Sequence, residues 1–277
     1  MNVEGIIETS RHGHVGIIRL INERGRNSLI NPMREGLVAS FTEMADDPDI
    51  RAVLLIGRGK VFCAGGDFGM MQTEGDPWSA HQRFRRSSRW LTDLLRYPKP
   101  IIVGVNGAAV GGGIGLALIG DFIYAAEEQA RFIAGFLRLG LIPDIGMMYT
   151  LPRLVGMSRA KSFVFGGETW TAQQAADAGL IAGAVPDAEL EARCMAKAEE
   201  MAAVATEGFS LAKWLMGRSL ESSLDDMMTM ENLGQSLAYS TEAMREGLTA
   251  ITERRPPDFA AASERETATK AARRRRQ

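Results

Sequence analysis

The segment from Ile101 to Asp121, IIVGVNGAAVGGGIGLALIGD, sets the tightest limits on what this chain can become. It opens with a short β-branched apolar run, Ile101 to Val105, of strand length and strand character. A turn at Asn106-Gly107 follows, then three consecutive glycines, Gly111, Gly112 and Gly113, and an apolar helix-like stretch that closes at Asp121. Glycine lets the backbone take positive φ and lets another group come close with no Cβ in the way. A glycine run that opens a helix leaves N–H groups unpaired at the positive end of the helix dipole, where an oxyanion or a phosphate can be held. The same glycines also suit tight helix–strand packing, and this segment alone leaves both readings open.

Other readings fail on the residues. Residues 101–120 carry no charge, as a membrane helix would, but seven of the twenty are glycine and Asn106 sits among them, against helix propensity. Neither a G-x-G-x-x-G fingerprint nor a Gly-Lys-Ser/Thr phosphate loop is present in the segment. Across the chain, 32 basic residues meet 34 acidic ones for a net charge of −2, which gives no bulk attraction to nucleic acid. Cys63 and Cys194 have no CxxC or histidine neighbour, so neither a zinc site nor a disulfide framework is expected. No hydrophobic leader opens the sequence, so a cytoplasmic enzyme of ordinary globular composition is expected.

A second segment decides between packing and chemistry. Strand-like Ala52 to Gly57 leads to Val61-Phe62-Cys63-Ala64-Gly65-Gly66-Asp67, a strand and a glycine turn. With Asn106-Gly107 and Gly111-Gly112-Gly113-Ile114-Gly115-Leu116-Ala117, this pair of motifs resembles the crotonase, or enoyl-CoA hydratase/isomerase, superfamily. The likeness runs from about Val15 to about Phe259. It implies an α/β fold, a spiral of ββα units with a C-terminal α-helical trimerisation region, divided as a core over 1–190 and helices over 191–260; the arginine-rich end, 261–277, reads from its own residues as a disordered basic tail. It also implies an acyl-CoA substrate, with coenzyme A entering as part of that substrate and no separate cofactor or metal. No nucleic-acid or membrane partner is implied; a homotrimer or a dimer of trimers is.

The resemblance assigns roles residue by residue. The backbone N–H groups of Ala64 and Gly112 are the expected oxyanion donors, with Gly65, Gly66, Asp67, Gly111 and Phe136 around the thioester. Arg24 and Arg26, in the loop before the first helix, lie where the family holds the CoA nucleotide, and Arg254 is expected to reach that nucleotide in its own or a neighbouring subunit. The hydratases place two glutamates against one water; those positions here are Gly115 and Phe136, and neither can transfer a proton. One carboxylate remains nearby, Asp144 in Leu141-Ile142-Pro143-Asp144. It reads either as the N-cap of a helix from Ile145 to about Leu151 or, by likeness to isomerase members, as the proton shuttle. The isomerases have Gly-Gly where this chain has Gly146-Met147. Hydrolase relatives use an aspartate at this place with a histidine and a tryptophan; here those positions are Ser88 and Phe136, and His81 lies two turns too early.

The remaining elements follow from spacing and punctuation. Residues 5–20 read as a hairpin turning at His12-Gly13-His14, with the two histidines solvated. Asn31 is expected to cap a helix to about Ala45 with Leu37, Phe41 and Met44 inward. A mobile loop over 67–79 precedes a helix from about Trp78 to Arg96, with Phe84, Ser87, Ser88, Leu91 and Leu95 inward and Arg83, Arg85, Arg86 and Arg89 outward. Phe122 to Ala126 reads as a buried strand, Ser158 and Thr171 as caps, and Leu180 to Val185 as a last strand. Residues 187–254 read as three or four amphipathic helices whose Met227, Met228, Met230 and Met244 serve core and subunit contacts.

Overall fold

The computed structural model describes residues 5–67 and 76–274. Two sheets share the strands alternately. The larger, in the order β1-β2-β3-β5-β7-β10, takes β1 (Ile7–His12), β2 (Val15–Leu20), β3 (Ala52–Gly57), β5 (Ile101–Val105), β7 (Phe122–Ala126) and β10 (Gly183–Val185). The smaller, in the order β4-β6-β8-β9, takes β4 (Val61–Cys63), β6 (Ala108–Val110), β8 (Arg131–Ile133) and β9 (Thr169–Thr171). Helix α1 (Asn31–Asp46) precedes β3, α2 (Pro77–Leu95) precedes β5 and α3 (Gly112–Ala117) precedes β7. After the β1–β2 hairpin, which lies wholly in the larger sheet, each of the next two turns lays one strand in each sheet and crosses over by a helix, the expected spiral of ββα units. From β2 to β10 the larger sheet is parallel, and β3 and β5 are buried at every residue. Their continuous apolar runs are what a sheet covered on both faces requires.

The hairpin forms as expected, with Ile7 opposite Leu20 and His12 opposite Val15. Two caps differ from the sequence reading, and a third, at Asp76, is new. Asn31 lies inside α1, whose N-cap is Ile30 with no side-chain bond, because Pro32 suits the first turn whichever residue precedes it. Asp76 caps α2, accepting from the N–H groups of Trp78 at 2.9 Å and Ser79 at 3.2 Å. Gly156, not Ser158, opens α5 (Met157–Gly166), following α4 (Met147–Val155). Thr171 does cap α6 (Ala172–Asp177), in a capping box with Gln174. Among the described side chains of α2 the buried ones are Trp90, Leu91 and Leu94, while Phe84, expected inward, is 52% exposed. The expected mobile loop falls mostly on 68–75, and the side chains of Arg83, Arg86, Ser87 and Ser88 likewise lie outside the described residues.

Between β10 and Arg254 lie four α-helices: α7 (Leu190–Ala202), α8 (Thr206–Met216), α9 (Leu224–Ala238) and α10 (Glu242–Glu253). Asp121, at the end of the glycine segment, and the buried Arg51 take their partners from this region. Asp121 accepts from Lys213 Nζ at 2.7 Å and from the Ile101 N–H at 2.8 Å. Arg51, almost wholly buried, donates to the carbonyls of Ala202 at 2.7 Å and Val204 at 2.8 Å. Met227, Met230 and Met244 are half-buried and Met228 is exposed, so none of them is core within one protomer.

Where a disordered tail is expected from 261, the backbone is helical as α11 (Phe259–Arg274). Asp258 accepts from the Ala261 N–H at 3.0 Å, and Ala262 is fully buried. Glu246 on α10 fastens this join, accepting from Arg255 Nη1 at 2.6 Å, the Asp258 N–H at 2.8 Å and Arg265 Nη2 at 3.3 Å. Those bonds, Arg255 foremost, press the Glu246 carboxyl down to about 2. Its folded value lies below the ordinary one of 4.5, so its stabilisation is complete above about pH 4.5 and is lost as pH falls toward 2. Protease sensitivity of 259–274 should rise across that acid window, and Glu246→Gln should flatten the pH dependence. Among the described residues no helix is long and apolar enough to cross a membrane.

Candidate active site

Three strands of the smaller sheet end side by side, and their ends make the site. β4, β6 and β8 are parallel neighbours, with Cys63 beside Ala109 and Val110 beside Ile133. The turn after β4, the glycines after β6 and Phe136 after β8 are therefore brought to one edge. Contact there is backbone on backbone: a methyl group built on Gly65, at φ +76, would lie 2.5 Å from the Val110 carbonyl oxygen and 3.0 Å from the Gly112 nitrogen. No L side chain fits that position. The Phe136 ring covers Gly111, its nearest atom 3.4 Å from a methyl group built there.

Loop 21–30 closes another side and corrects one expectation. Arg26 and Asn27 both take left-handed backbone, at φ 51 and φ 50. Asn27 is fully buried and its Nδ2 donates to the Val61 carbonyl at 2.9 Å. This turns the Arg26 carbonyl onto the Ala64 N–H, which donates to it at 3.0 Å, while the Leu29 N–H donates to the Gly65 carbonyl at 2.7 Å. An N–H already spent on a carbonyl is not the donor an oxyanion needs, so Ala64 loses that role. Two residues on, the Gly66 N–H has no hydrogen bond among the described residues, and neither does the Gly112 N–H. The open donors beside each other are Gly66 and Gly112. The sequence held the signal, since Gly66 follows the positive-φ glycine of the turn, but not which N–H the neighbouring loop would take.

Asp144 meets these donors from the far side. Its Oδ1 is buried without a hydrogen-bond partner and lies 3.0 Å from a methyl group built on Gly112. Burial, opposed by Arg34 and by the residue's own N–H, holds the carboxyl above its ordinary value. The capping alternative falls away. Helix α4 starts at Met147, its N-cap is Gly146, and no side chain caps it. Ile145, between them, takes φ 48, a conformation that is a genuine outlier for a β-branched residue and costs on the order of 1–3 kcal/mol. Its carbonyl oxygen sits 2.4 Å, and its Cβ 2.7 Å, from a methyl group built on Gly115. The place where a hydratase carries its first glutamate thus has no room for any side chain.

Arg34 is the residue that sequence reading missed. It is half-buried on α1, close enough for its positive charge to favour the ionised forms of both Asp144 and Cys63, against the upward pull of burial. Extending the buried stripe of Leu37, Phe41 and Met44 back by one helical turn reaches it. Cys63, fully buried, has its thiol pushed up to about 12 by that burial and is not a nucleophile at neutral pH. Asp67 is half-buried at the end of the turn. Arg24 and Arg26 are exposed on the loop above Ala64. Within one protomer Arg254 is not brought to its own site: the segment that follows it, Pro256 to Ala260, lines a cavity with His12 to Val15, at the opposite end of β2 from loop 21–30.

Two adjoining sheets, a spiral of ββα units and two facing backbone donors beside one buried carboxylate define an acyl-thioester enzyme of the crotonase fold. A family model described as enoyl-CoA hydratase/isomerase matches residues 10–262, and the chain belongs to that family. It is 34% identical to a probable enoyl-CoA hydratase of Rhodobacter capsulatus over 88% of this chain and 94% of that one. It is also 34% identical to the 1,2-epoxyphenylacetyl-CoA isomerase of Escherichia coli, over 90% and 96% of the two chains. Among solved structures, an enoyl-CoA hydratase/isomerase from Cupriavidus metallidurans superposes with a TM-score of 0.88 at 31% identity, covering 94% of this chain and 97% of that one.

Proposed function

We propose that this enzyme isomerises an enoyl-CoA or ring-derived acyl-CoA by moving a proton between carbons through a thioester enolate. The observation that carries the reading is the buried, unpartnered Asp144 Oδ1 beside Gly112, at a site where Gly115 and Phe136 supply no second carboxylate. The thioester oxygen would accept from the Gly66 and Gly112 N–H groups as negative charge gathers on it, and losing one such donor typically costs about 2.7–4 kcal/mol of barrier. Asp144 would take a proton from one carbon and return it to another, so no atom is gained or lost. Coenzyme A enters with the substrate. Incubation of a 3-enoyl-CoA in heavy water should give the 2-enoyl isomer with deuterium on carbon. Mainly hydroxyacyl-CoA product would favour the hydratase that the Rhodobacter relative is named for, and absence of both would leave a non-catalytic acyl-CoA-binding subunit.

Arg24 and Arg26 are the proposed contacts for the CoA phosphates. Binding of that kind is shared by ground and transition states, so Arg26→Glu should raise KM by up to about tenfold and leave kcat nearly unchanged. A homotrimer, or a dimer of trimers, is the proposed assembly. Its support is the row of exposed apolar side chains on and beside α9, including Leu220, Leu224, Leu233 and Leu237, which a lone protomer would leave in water. A monomer in light scattering at micromolar concentration would overturn it.

A further inference from the structure

We infer that Ile145 keeps water from the Asp144 carboxylate and so commits the site to proton transfer between carbons rather than to water addition. This rests on the isomerase reading of Asp144 and names what enforces it. Three observations converge. Ile145 Cγ1 and Asp144 Oδ1 flank the same point, 3.2 Å and 3.0 Å from a methyl group built on Gly112, so the apolar branch stands beside the carboxylate oxygen. That oxygen has essentially no solvent exposure and no hydrogen-bond partner. The side chain can stand there only because its backbone is held at φ 48 over Gly115, where a side chain of any size would displace it.

The wall is shared, but the other members face different sides. The Phe136 ring covers Gly111, and Leu29 Cδ1 lies 3.6 Å from the point at Gly112. Arg34 and Cys63 are the charged and titratable groups whose influence reaches this carboxylate. The strained backbone therefore performs a selection. A hydratase glutamate at 115 and an Asp144 carried by this loop compete for one volume, and in this chain the loop holds it.

The test replaces the wall without touching Asp144. Ile145→Gly relieves the left-handed backbone and opens the pocket, Ile145→Asn tolerates that backbone and admits a polar neighbour, and Ile145→Val keeps the branch. Each is given a 2-enoyl-CoA and a 3-enoyl-CoA of equal chain length, and mass spectrometry separates the isomer from hydroxyacyl-CoA. In hydration, Asp144 would take a proton from water, the hydroxide oxygen would bond to the β-carbon and the proton would pass to the α-carbon. Wild type and Ile145→Val should yield isomer alone, while the Gly and Asn variants should divert about a tenth or more of turnover to hydroxyacyl-CoA. Carboxyl 13C titration of Asp144, which needs no turnover, should move to lower pH in the same two variants. Isomer alone from Ile145→Gly, or an unmoved Asp144 titration in both open variants, overturns the inference. Failure of the underlying reading looks different: Asp144→Asn would then keep its deuterium exchange whatever stands at 145.

Discussion

Asp144→Asn should abolish nearly all turnover while leaving a folded protein that still binds acyl-CoA. A positioned acid/base group is usually worth 10²–10⁴-fold in rate, so the loss should be about that large, and deuterium uptake from heavy water should fall with it. Stability should hold or rise. The folded carboxyl is held above its ordinary value by burial, so the stability it confers is fully present below the ordinary carboxylate range and is lost as pH rises through the folded value. An uncharged amide removes that loss, and urea melts at neutral pH should place the variant at or above wild type. In the wild type the active form is the carboxylate, so kcat/KM should fall on acidification with a limb above the usual carboxylate range. An exchange rate unchanged in Asp144→Asn would exclude Asp144 as the shuttle.

Gly115→Glu should fail to make a hydratase and should damage the enzyme already present. The simplest conversion by sequence restores the first hydratase glutamate, yet the new Cβ would sit 2.4 Å from the Ile145 carbonyl oxygen, a rigid backbone atom. Relief requires the loop carrying Asp144 to shift. Overpacking of this kind typically costs about 1–3 kcal/mol, and a displacement near 1 Å at a catalytic group can cost about 10²-fold in rate. Isomerase activity should therefore drop about a hundredfold with no hydroxyacyl-CoA gained. Hydratase activity in the single variant would mean that the loop yields freely.

The fold was legible because its central strands are apolar throughout and its two glycine turns have few alternatives. Ile101–Val105 and Ala52–Gly57 begin and end where their composition says. Helix ends were less legible, since a cap depends on where the preceding chain arrives: Asn31 and Ser158 have capping side chains but sit one or two residues inside their helices. Asp144 was visible as the one carboxylate in the right neighbourhood, and the exclusion of Gly115 and Phe136 pointed to it. What stayed hidden is contact between segments distant in sequence. Nothing in Phe62 to Asp67 announces that the Arg26 carbonyl would claim the Ala64 N–H, because that depends on two consecutive left-handed residues in another loop. Arg34 was hidden for a related reason, as a charge on a stripe read only for its apolar members.

The buried charge of Arg51 bears on how the protein is made. Its partners, the carbonyls of Ala202 and Val204, lie far later in the sequence. A buried charge left without its partner is strongly unfavourable, typically by about 3–5 kcal/mol. While the ribosome is still synthesising α7, the nascent spiral already holds all its strands but carries one buried ion it cannot satisfy. The start of β3, which Arg51 leads into, is then completed only once Ala202 and Val204 have emerged.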